Sequence, residues 1–329
     1  MKRRKIPSKI YYKFDLQEFE NNHLERKDLP PDYQYVTKWT LRKIFAHFVY
    51  FVLGFPCLNF YLRLVAGLRV KNRKNMKKLK GNSSFFFYMN HTSDRDPYVL
   101  QMVLPVLFKK TYIIGYSDAL NIPVFGMTMR DSGLLPLPNS VKELRKFNQA
   151  ILHVSKDLKR PIIVFPEQQM WPYCNYIRPM KDAAFHYPSE ANAPVLPVVT
   201  VYKATRKTLK KGKKPRPILV VGEPIYPRED FNIKQNKAYL HEECVKQMNA
   251  IIEKYGSYCY IEYIKTDFDD PRPFDSDKIS LKKIYKLQIK KEKAEIKNIN
   301  KTLGLFLPFK LEETGKISRI TALKKSSSD

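Results

Sequence analysis

Cysteine is scarce in this 329-residue chain, and the few cysteines lie far apart. They form no Cys-x-x-Cys pair and are accompanied by no histidine cluster: Cys57, Cys174, Cys244 and Cys259. A disulfide framework or a structural zinc site needs such grouping. The sequence therefore predicts reduced thiols, as in a cytosolic protein, and no bound metal.

Acidic residues are also few. The chain has 32 of them and 60 lysines and arginines, which gives a formal net charge of +28. Such an excess predicts an anionic partner, and charge alone leaves open whether it is nucleic acid, a lipid surface or an acidic protein. A generally basic soluble protein is the simpler alternative. No recognised nucleic-acid-binding motif appears, which favours a partner other than nucleic acid.

The amino-terminal region lacks the pattern of a signal peptide and that of a clear membrane span. Its basic opening precedes no apolar run with a cleavage site, and we expect residues 1–35 to be a polar leader. Residues 44–62 carry no formal charge, but 19 residues interrupted by Pro56 only reach the threshold of about 20 for a spanning helix. Because both flanks are basic, residues 36–70 are predicted to be a membrane-associating helical motif. A buried pair of core helices is the alternative.

Short apolar segments bounded by turn residues recur through the middle of the chain: 83–90, 111–116, 161–167, 195–202 and 217–225. Such runs are typical of strands covered on both faces. Ser140 and Glu143 have capping-box spacing, and the apolar residues that follow lie on one helical face: Leu144, Phe147, Ile151, Val154 and Leu158. Residues 235–254 predict another amphipathic helix. The alternation indicates an α/β fold over residues 71–256, with a mostly parallel sheet flanked by helices.

Residues 257–329 are rich in lysine, and we expect a basic C-terminal extension there. Within it, a narrow apolar stripe recurs at helical spacing: Tyr285, Ile289, Ile296, Ile299 and Leu303. A solvated helix that packs on the core and a basic helix on a membrane surface both fit this pattern.

The segment Asn90–Pro97 (NHTSDRDP) joins the end of an apolar strand to the start of an expected helix. Open α/β sheets bind their ligands at the carboxyl ends of strands. His91 and Asp96 are five residues apart, so they would not share a face of one helix and meet only if a turn lies between them. The ordinary alternative is that Asp96 caps the helix and His91 is a loop residue.

This segment resembles the His-x4-Asp signature of the glycerolipid (lysophospholipid) acyltransferase family, which includes the 1-acylglycerol-3-phosphate O-acyltransferases. Four further segments resemble later blocks of that family, in the family's order: NIPVFGMTMRDSGLLPLPN at 121–139, FPEQQM at 165–170, VLPVVTVY at 195–202 and VGEPI at 221–225. Gly126, Gly133 and Pro197 stand where the family has the same residues. The resemblance covers residues 40–255, roughly two thirds of the chain.

The resemblance implies an O-acyltransferase of the glycerol-3-phosphate acyltransferase-like fold, peripheral or monotopic on the cytosolic face of a membrane. His91 would be the general base on the acceptor hydroxyl, and Asp96 would hold its tautomer. The hydroxyl oxygen would attack the thioester of acyl-CoA or acyl-carrier protein directly, so no cofactor beyond this co-substrate is expected. The implied acceptor is 1-acylglycerol-3-phosphate and the product phosphatidate. Membrane lipids are the expected partners, and nucleic acid is not.

The sequence departs from the family where the family has arginines associated with the acceptor phosphate. Asn139 ends the second block, and Gln168, Gln169 and Met170 follow Glu167 in the third. An arginine fork binds two phosphate oxygens, so another cation has to substitute here. The candidate cations are Arg130, Arg178 and Lys181, with plain surface charge as the alternative for Arg178 and Lys181. Glu167 is a further candidate substrate-binding residue, because it ends an apolar strand.

These departures leave the acceptor less fixed than the reaction. Another lysolipid or a glycan-linked hydroxyl is the alternative acceptor. A non-enzymatic basic protein that binds nucleic acid is the alternative from another class, but the apolar run at residues 44–62 is unlike a nucleic-acid surface.

Overall fold

The computed structural model describes residues 8–12, 15–16, 29–30, 32–36, 41, 44, 48, 52, 55–79, 84–97, 111–117, 120, 130–131, 133–138, 140–265 and 274–275. Most of the segment 121–139, including Gly126 and Asn139, lies outside these residues, as does the apolar stripe from Tyr285 to Leu303.

The chain divides into two units, one made of residues 22–260 and the other of residues 1–21 with 261–329. The strands, in chain order, are β1 (Ser8–Tyr12), β2 (Arg69–Lys71), β3 (Phe86–Met89), β4 (Tyr112–Tyr116), β5 (Leu134–Leu137), β6 (Ile162–Val164), β7 (Val195–Lys203), β8 (Arg216–Val221), β9 (Ile261–Lys265) and β10 (Phe274–Asp275). β1, β9 and β10 form a three-stranded sheet in the order β10-β1-β9. β1 therefore lies inside the predicted polar leader.

A seven-stranded sheet in the order β2-β8-β7-β3-β6-β4-β5 is the centre of residues 22–260. Its neighbouring strands run parallel except for β7 and β8. The prediction of a mostly parallel α/β sheet is confirmed, and each of the five predicted segments overlaps a strand. The sequence missed β2 and β5, which have three and four residues. β2 is also exposed at both of its basic ends, so it has no apolar run to reveal it.

Successive residues of β3 point to opposite faces of the sheet and join two separate cores. Phe86 and Tyr88 pack in one core with Phe147, while Phe87 and Met89 pack in the other with Leu62. Both faces of the strand are thus covered, which explains its unbroken run of apolar residues.

The helices are α1 (Phe55–Phe60), α2 (Val141–Leu152), α3 (His186–Ala191), α4 (Arg206–Lys211) and α5 (Ile233–Tyr255). α2 begins directly after Ser140, but the Ser140 side chain makes no capping hydrogen bond, so the predicted capping box is wrong. Capping boxes form instead at Thr205 with Thr208 and at Asn232 with Gln235. The apolar face predicted after Ser140 runs past the end of α2, and its three central residues are buried while its two outer ones are exposed: Phe147, Ile151 and Val154, then Leu144 and Leu158.

α1 continues into a π-helical turn at Tyr61–Val65 that leaves apolar side chains in solvent. Leu62 is buried, whereas Phe60, Leu64 and Val65 are 63%, 68% and 67% exposed. We call these three residues with Tyr61 the apolar ledge. Within the described residues, no helix has the length and apolar character required to cross a membrane.

Candidate active site

His91 leaves the sheet at the carboxyl end of β3, and Asn90 fixes its point of exit. The Asn90 side chain donates to the Thr200 carbonyl (3.1 Å) and accepts from the Thr200 N–H (2.8 Å). These two bonds extend the pairing of β3 with β7 one residue past the end of β3. The backbone from which the His91 loop starts is therefore fixed by hydrogen bonds to β7.

A tight turn brings His91 and Asp96 together. The Asp96 N–H donates to the Ser93 carbonyl (3.1 Å), and Oδ2 of Asp96 accepts from the N–H groups of Thr92 (2.7 Å) and Ser93 (2.8 Å). The same oxygen lies 3.2 Å from Nδ1 of His91. The carboxylate is buried, so the loop itself supplies the hydrogen bonds that replace its lost water.

This geometry can prepare the imidazole as a base. In the tautomer that carries its proton on Nδ1, that nitrogen donates to Asp96 and Nε2 keeps its lone pair. The ring stacks on Phe165 with 4.3 Å between centroids and 25° between planes, and its side chain is 16% exposed. The imidazole is thus held from two sides and still reaches solvent.

Glu167 holds the backbone of His91. The parallel register pairs Tyr88 with Val164, so three residues later Glu167 comes opposite His91. Oε2 of Glu167 accepts from the His91 N–H (3.1 Å), and the Trp171 N–H donates to the His91 carbonyl (3.0 Å). Both backbone polar groups of His91 are therefore fixed by the segment that follows β6.

Arg178 pairs with Glu167 in the interior, and both side chains are only 1% exposed. Its guanidinium Nη2 donates to Oε2 of Glu167 (3.0 Å) and to the Gln169 carbonyl, and its N–H donates to Oε1 of Glu167 (3.0 Å). The guanidinium also lies 4.6 Å from the ring centroid of Trp171. Burial raises the pKa of the Glu167 carboxyl, while the guanidinium and the two backbone N–H donors oppose that shift.

The burial of Arg178 contradicts one of the two alternatives that the sequence left open for this residue. The residue is not surface charge, because its side chain is enclosed. A phosphate clamp would have to compete for a guanidinium that already binds the Glu167 carboxylate and the Gln169 carbonyl. In the structure, Arg178 binds the Glu167 carboxylate, and that carboxylate accepts the N–H of His91.

Lys181 and Arg130 take different positions. The Lys181 N–H donates to the Pro166 carbonyl (2.9 Å), so its backbone lies beside the turn that carries Glu167, and its side chain is exposed. The Arg130 guanidinium donates to the Gln34 carbonyl (3.2 Å) and lies 4.9 Å from the ring centroid of Tyr33. The contacts described for the Arg130 side chain are thus with residues 33–34 and not with the His91 loop.

Gln168 directly follows Glu167, and its φ of 65° lies in the left-handed region. A non-glycine residue there is held by its surroundings at a cost of order 1 kcal/mol. The Gln168 N–H donates to the Phe165 carbonyl (3.0 Å), which closes the turn around Glu167. Met170, in place of an arginine, is buried.

Sequence reasoning missed three residues that support the His91 loop. Phe165 stacks on the imidazole, Trp171 binds the His91 carbonyl, and the Tyr202 hydroxyl lies 2.9 Å from Oγ1 of Thr92. Burial raises the pKa of Tyr202 well above its usual value, so its hydroxyl stays protonated and can donate. Phe165 and Tyr202 lie within the segments FPEQQM and VLPVVTVY, and Trp171 directly follows the first of them. That position was the signal that could have identified them, since β6 and β7 both neighbour β3.

Comparisons with known proteins extend this description. Residues 67–201 match the Acyltransferase family model. The 1-acyl-sn-glycerol-3-phosphate acyltransferase of Saccharomyces cerevisiae is 26% identical over 228 residues, which cover 68% of this chain and 68% of the yeast protein. The crystal structure of the 1-acyl-sn-glycerophosphate (LPA) acyltransferase PlsC from Thermotoga maritima is similar with a TM-score of 0.42 and 19% identity, covering 66% of this chain and 95% of that chain.

Proposed function

We propose that this acyltransferase, whose family domain spans residues 67–201, transfers a fatty acyl group from acyl-CoA or acyl-carrier protein to 1-acylglycerol-3-phosphate and forms phosphatidate. The observation that carries the proposal is the contact between His91 and the buried Asp96 at the carboxyl edge of the sheet. The yeast relative supports the choice of acceptor, since that protein is named for this substrate.

In the proposed mechanism, Nε2 of His91 takes the proton of the acceptor hydroxyl as its oxygen attacks the thioester carbonyl. The new oxygen–carbon bond forms, the carbon–sulfur bond breaks, and the thiolate leaves with a proton returned by the imidazolium. Asp96 stabilises the imidazolium during this step and keeps Nε2 as the basic nitrogen. A positioned base of this kind contributes about 10²–10⁴-fold to the rate.

Glu167 and Arg178 are proposed to act as positioning residues. Glu167 accepts the His91 N–H, and Arg178 holds the Glu167 carboxylate with one charged and one backbone hydrogen bond. A displacement of about 1 Å at a reacting group is enough to lower a rate by ~10²-fold. The ion pair therefore affects catalysis through the place of His91.

The acceptor phosphate needs a cation with an accessible side chain. Lys181 is exposed and its backbone adjoins Pro166, so we assign it this role. Arg95 is a second exposed cation, and it lies in the loop between His91 and Asp96. The buried Met170 supplies no charge at the place of the family's arginine, which keeps another lysolipid as the alternative acceptor.

We also propose that the protein is attached to the cytosolic face of a membrane. The apolar ledge is exposed, and so are Leu41, Ile44, Phe48 and Val52, whose spacing of three and four residues places them on one face of a helix. Deleting residues 1–70 would not test this cleanly, because Leu62 and Leu68 belong to the core. Replacing Leu64 and Val65 with glutamine removes apolar surface only, and retention of membrane binding by that variant would contradict insertion of the ledge.

The reaction is tested with purified wild-type and His91→Ala proteins. Acyl transfer from acyl-CoA to a panel of lysolipids should fall at least ~10²-fold in the variant, since the base is lost. Asp96→Asn should be impaired as well, because it loses control of the tautomer. Thermal unfolding controls for folding, and a His91→Ala protein with more than about a tenth of wild-type activity would contradict the assignment of the base.

A further inference from the structure

Residues 203–216 (KATRKTLKKGKKPR) carry a charge pattern that the proposed chemistry does not use. They contain eight cations and no acidic residue: Lys203, Arg206, Lys207, Lys210, Lys211, Lys213, Lys214 and Arg216. We call this segment, which joins β7 to β8, the basic hairpin. Among the described residues, no carboxylate forms an ion pair with the seven of these cations whose side chains are described.

The basic hairpin is an ordered element, with its charges outside. Thr205 and Thr208 cap α4 reciprocally at 3.1 Å, and Oγ1 of Thr208 also donates to the Lys214 carbonyl (3.3 Å). The Tyr260 hydroxyl donates to the Gly212 carbonyl (3.3 Å). Lys207, Lys210, Lys213 and Lys214 are exposed. No described carboxylate offsets the repulsion among these cations, so binding of an external anion would reduce it.

The sheet places this hairpin beyond the edge that carries His91. β3 and β7 are parallel, and Met89 at the end of β3 pairs with Val198. β7 continues five residues farther to Lys203, which is roughly 16 Å at the rise of a strand. The basic hairpin therefore projects past the catalytic edge of the sheet.

The apolar ledge borders the same region. A Cβ built on Gly67, two residues after the ledge, would lie 3.0 Å from Nε of Arg216, so the base of the hairpin packs against this chain segment. The Arg95 guanidinium also lies near the ledge, 5.5 Å from the ring centroid of Tyr61. The ledge thus lies near both the base of the hairpin and the loop between His91 and Asp96.

We infer that the basic hairpin binds the anionic headgroups of a lipid bilayer while the apolar ledge enters the adjoining acyl region. Charge complementarity alone would also suit a nucleic acid. The apolar neighbours favour lipid, because Leu209 is 44% exposed among the lysines and the ledge is exposed beside them. Binding in this way would place the edge of the sheet that carries His91 next to the membrane. The inference concerns attachment and does not depend on which lysolipid is the acceptor.

The test compares two charge-matched variants of the full chain. The hairpin variant carries Lys207→Gln, Lys210→Gln and Lys213→Gln, and the control carries Lys156→Gln, Lys159→Gln and Lys234→Gln at exposed positions preceding β6 and opening α5. Co-sedimentation is measured with vesicles of phosphatidylcholine alone and of phosphatidylcholine with phosphatidylglycerol, over a range of sodium chloride. A third variant with arginine at the three hairpin positions restores the charge.

The hairpin variant should lose affinity for the anionic vesicles by about 5-fold for each lysine, while binding to phosphatidylcholine alone stays unchanged. The arginine variant and the control should bind nearly as wild type, and acyl transfer to an acceptor kept below its micelle concentration should be the same in all. Equal affinity of the hairpin and control variants for anionic vesicles would overturn the inference. So would a larger loss of binding to a DNA duplex than to the vesicles.

Discussion

Replacing Arg178 separates a positioning role from a substrate-binding role. Arg178→Ala leaves the Glu167 carboxylate buried without its guanidinium, and breaking a buried ion pair costs about 3–5 kcal/mol of unfolding free energy. It also frees the carboxylate that accepts the His91 N–H. We expect kcat to fall by roughly 10²-fold, because His91, the proposed base, is displaced.

The two roles of Arg178 are distinguished by comparing acceptors with and without a phosphate in that assay. If Arg178 acts through His91, kcat should fall by the same factor with lysophosphatidic acid and with monoacylglycerol, and KM should change little for either. Arg178→Lys should recover only part of the loss, since an ammonium cannot donate to Glu167 and Gln169 while stacking on Trp171.

Two results would refute this reasoning. A phosphate clamp would raise KM for lysophosphatidic acid about 10- to 150-fold and leave monoacylglycerol unaffected, as expected for the loss of a charged hydrogen bond. A purely structural role would lower the unfolding free energy but leave kcat unchanged per folded molecule. Urea unfolding measured beside the kinetics distinguishes the latter case.

Further predictions concern single side chains. Lys181→Ala should raise KM for lysophosphatidic acid about 10-fold with monoacylglycerol unaffected, and equal kinetics on both would remove Lys181 from the phosphate site. Gln168→Gly should unfold in urea within about 1 kcal/mol of wild type, whereas Gln168→Val should be less stable, because φ is 65°. Burial raises the pKa of Cys174 to about 12, so its thiol is neutral at about pH 8 and should resist a thiol reagent that labels the exposed Cys57; rapid labelling of Cys174 in the native protein would contradict its burial.

The sequence predicted those parts of the fold that depend on local pattern. Apolar runs such as residues 195–202 are buried on both faces, so composition alone identifies them as strands. β2 has only three residues, two of them basic, and it is a strand because it pairs with β8 more than 140 residues later. β1 likewise pairs with β9 across the chain. Such pairings are invisible to a window of local sequence.

The candidate site also contains features that depend on local sequence and features that depend on long-range pairing. The sequence left open whether a turn lies between His91 and Asp96. The structure has a turn at residues 93–96, and these two side chains meet across it. The attachment of Glu167 to the His91 backbone follows from the register of β3 with β6, which spacing does not specify. Arg178 was interpreted by its charge, whereas its surroundings determine its partners. Whether a cation is buried depends on how the whole chain packs, so the local sequence does not specify it.

The register between β3 and β6 also ties activity to folding. Glu167 reaches His91 across 76 positions of sequence, and only three residue pairs set the alignment of the two strands. A slip of one residue would carry Glu167 about 3.3 Å along the strand and reverse the faces of its neighbours. Molecules trapped in such an arrangement would keep much of their secondary structure but would lose the hydrogen bond from Glu167 that positions His91. During refolding, recovery of acyl transfer should therefore lag behind recovery of the far-ultraviolet signal, and its rate should report closure of this long-range pairing.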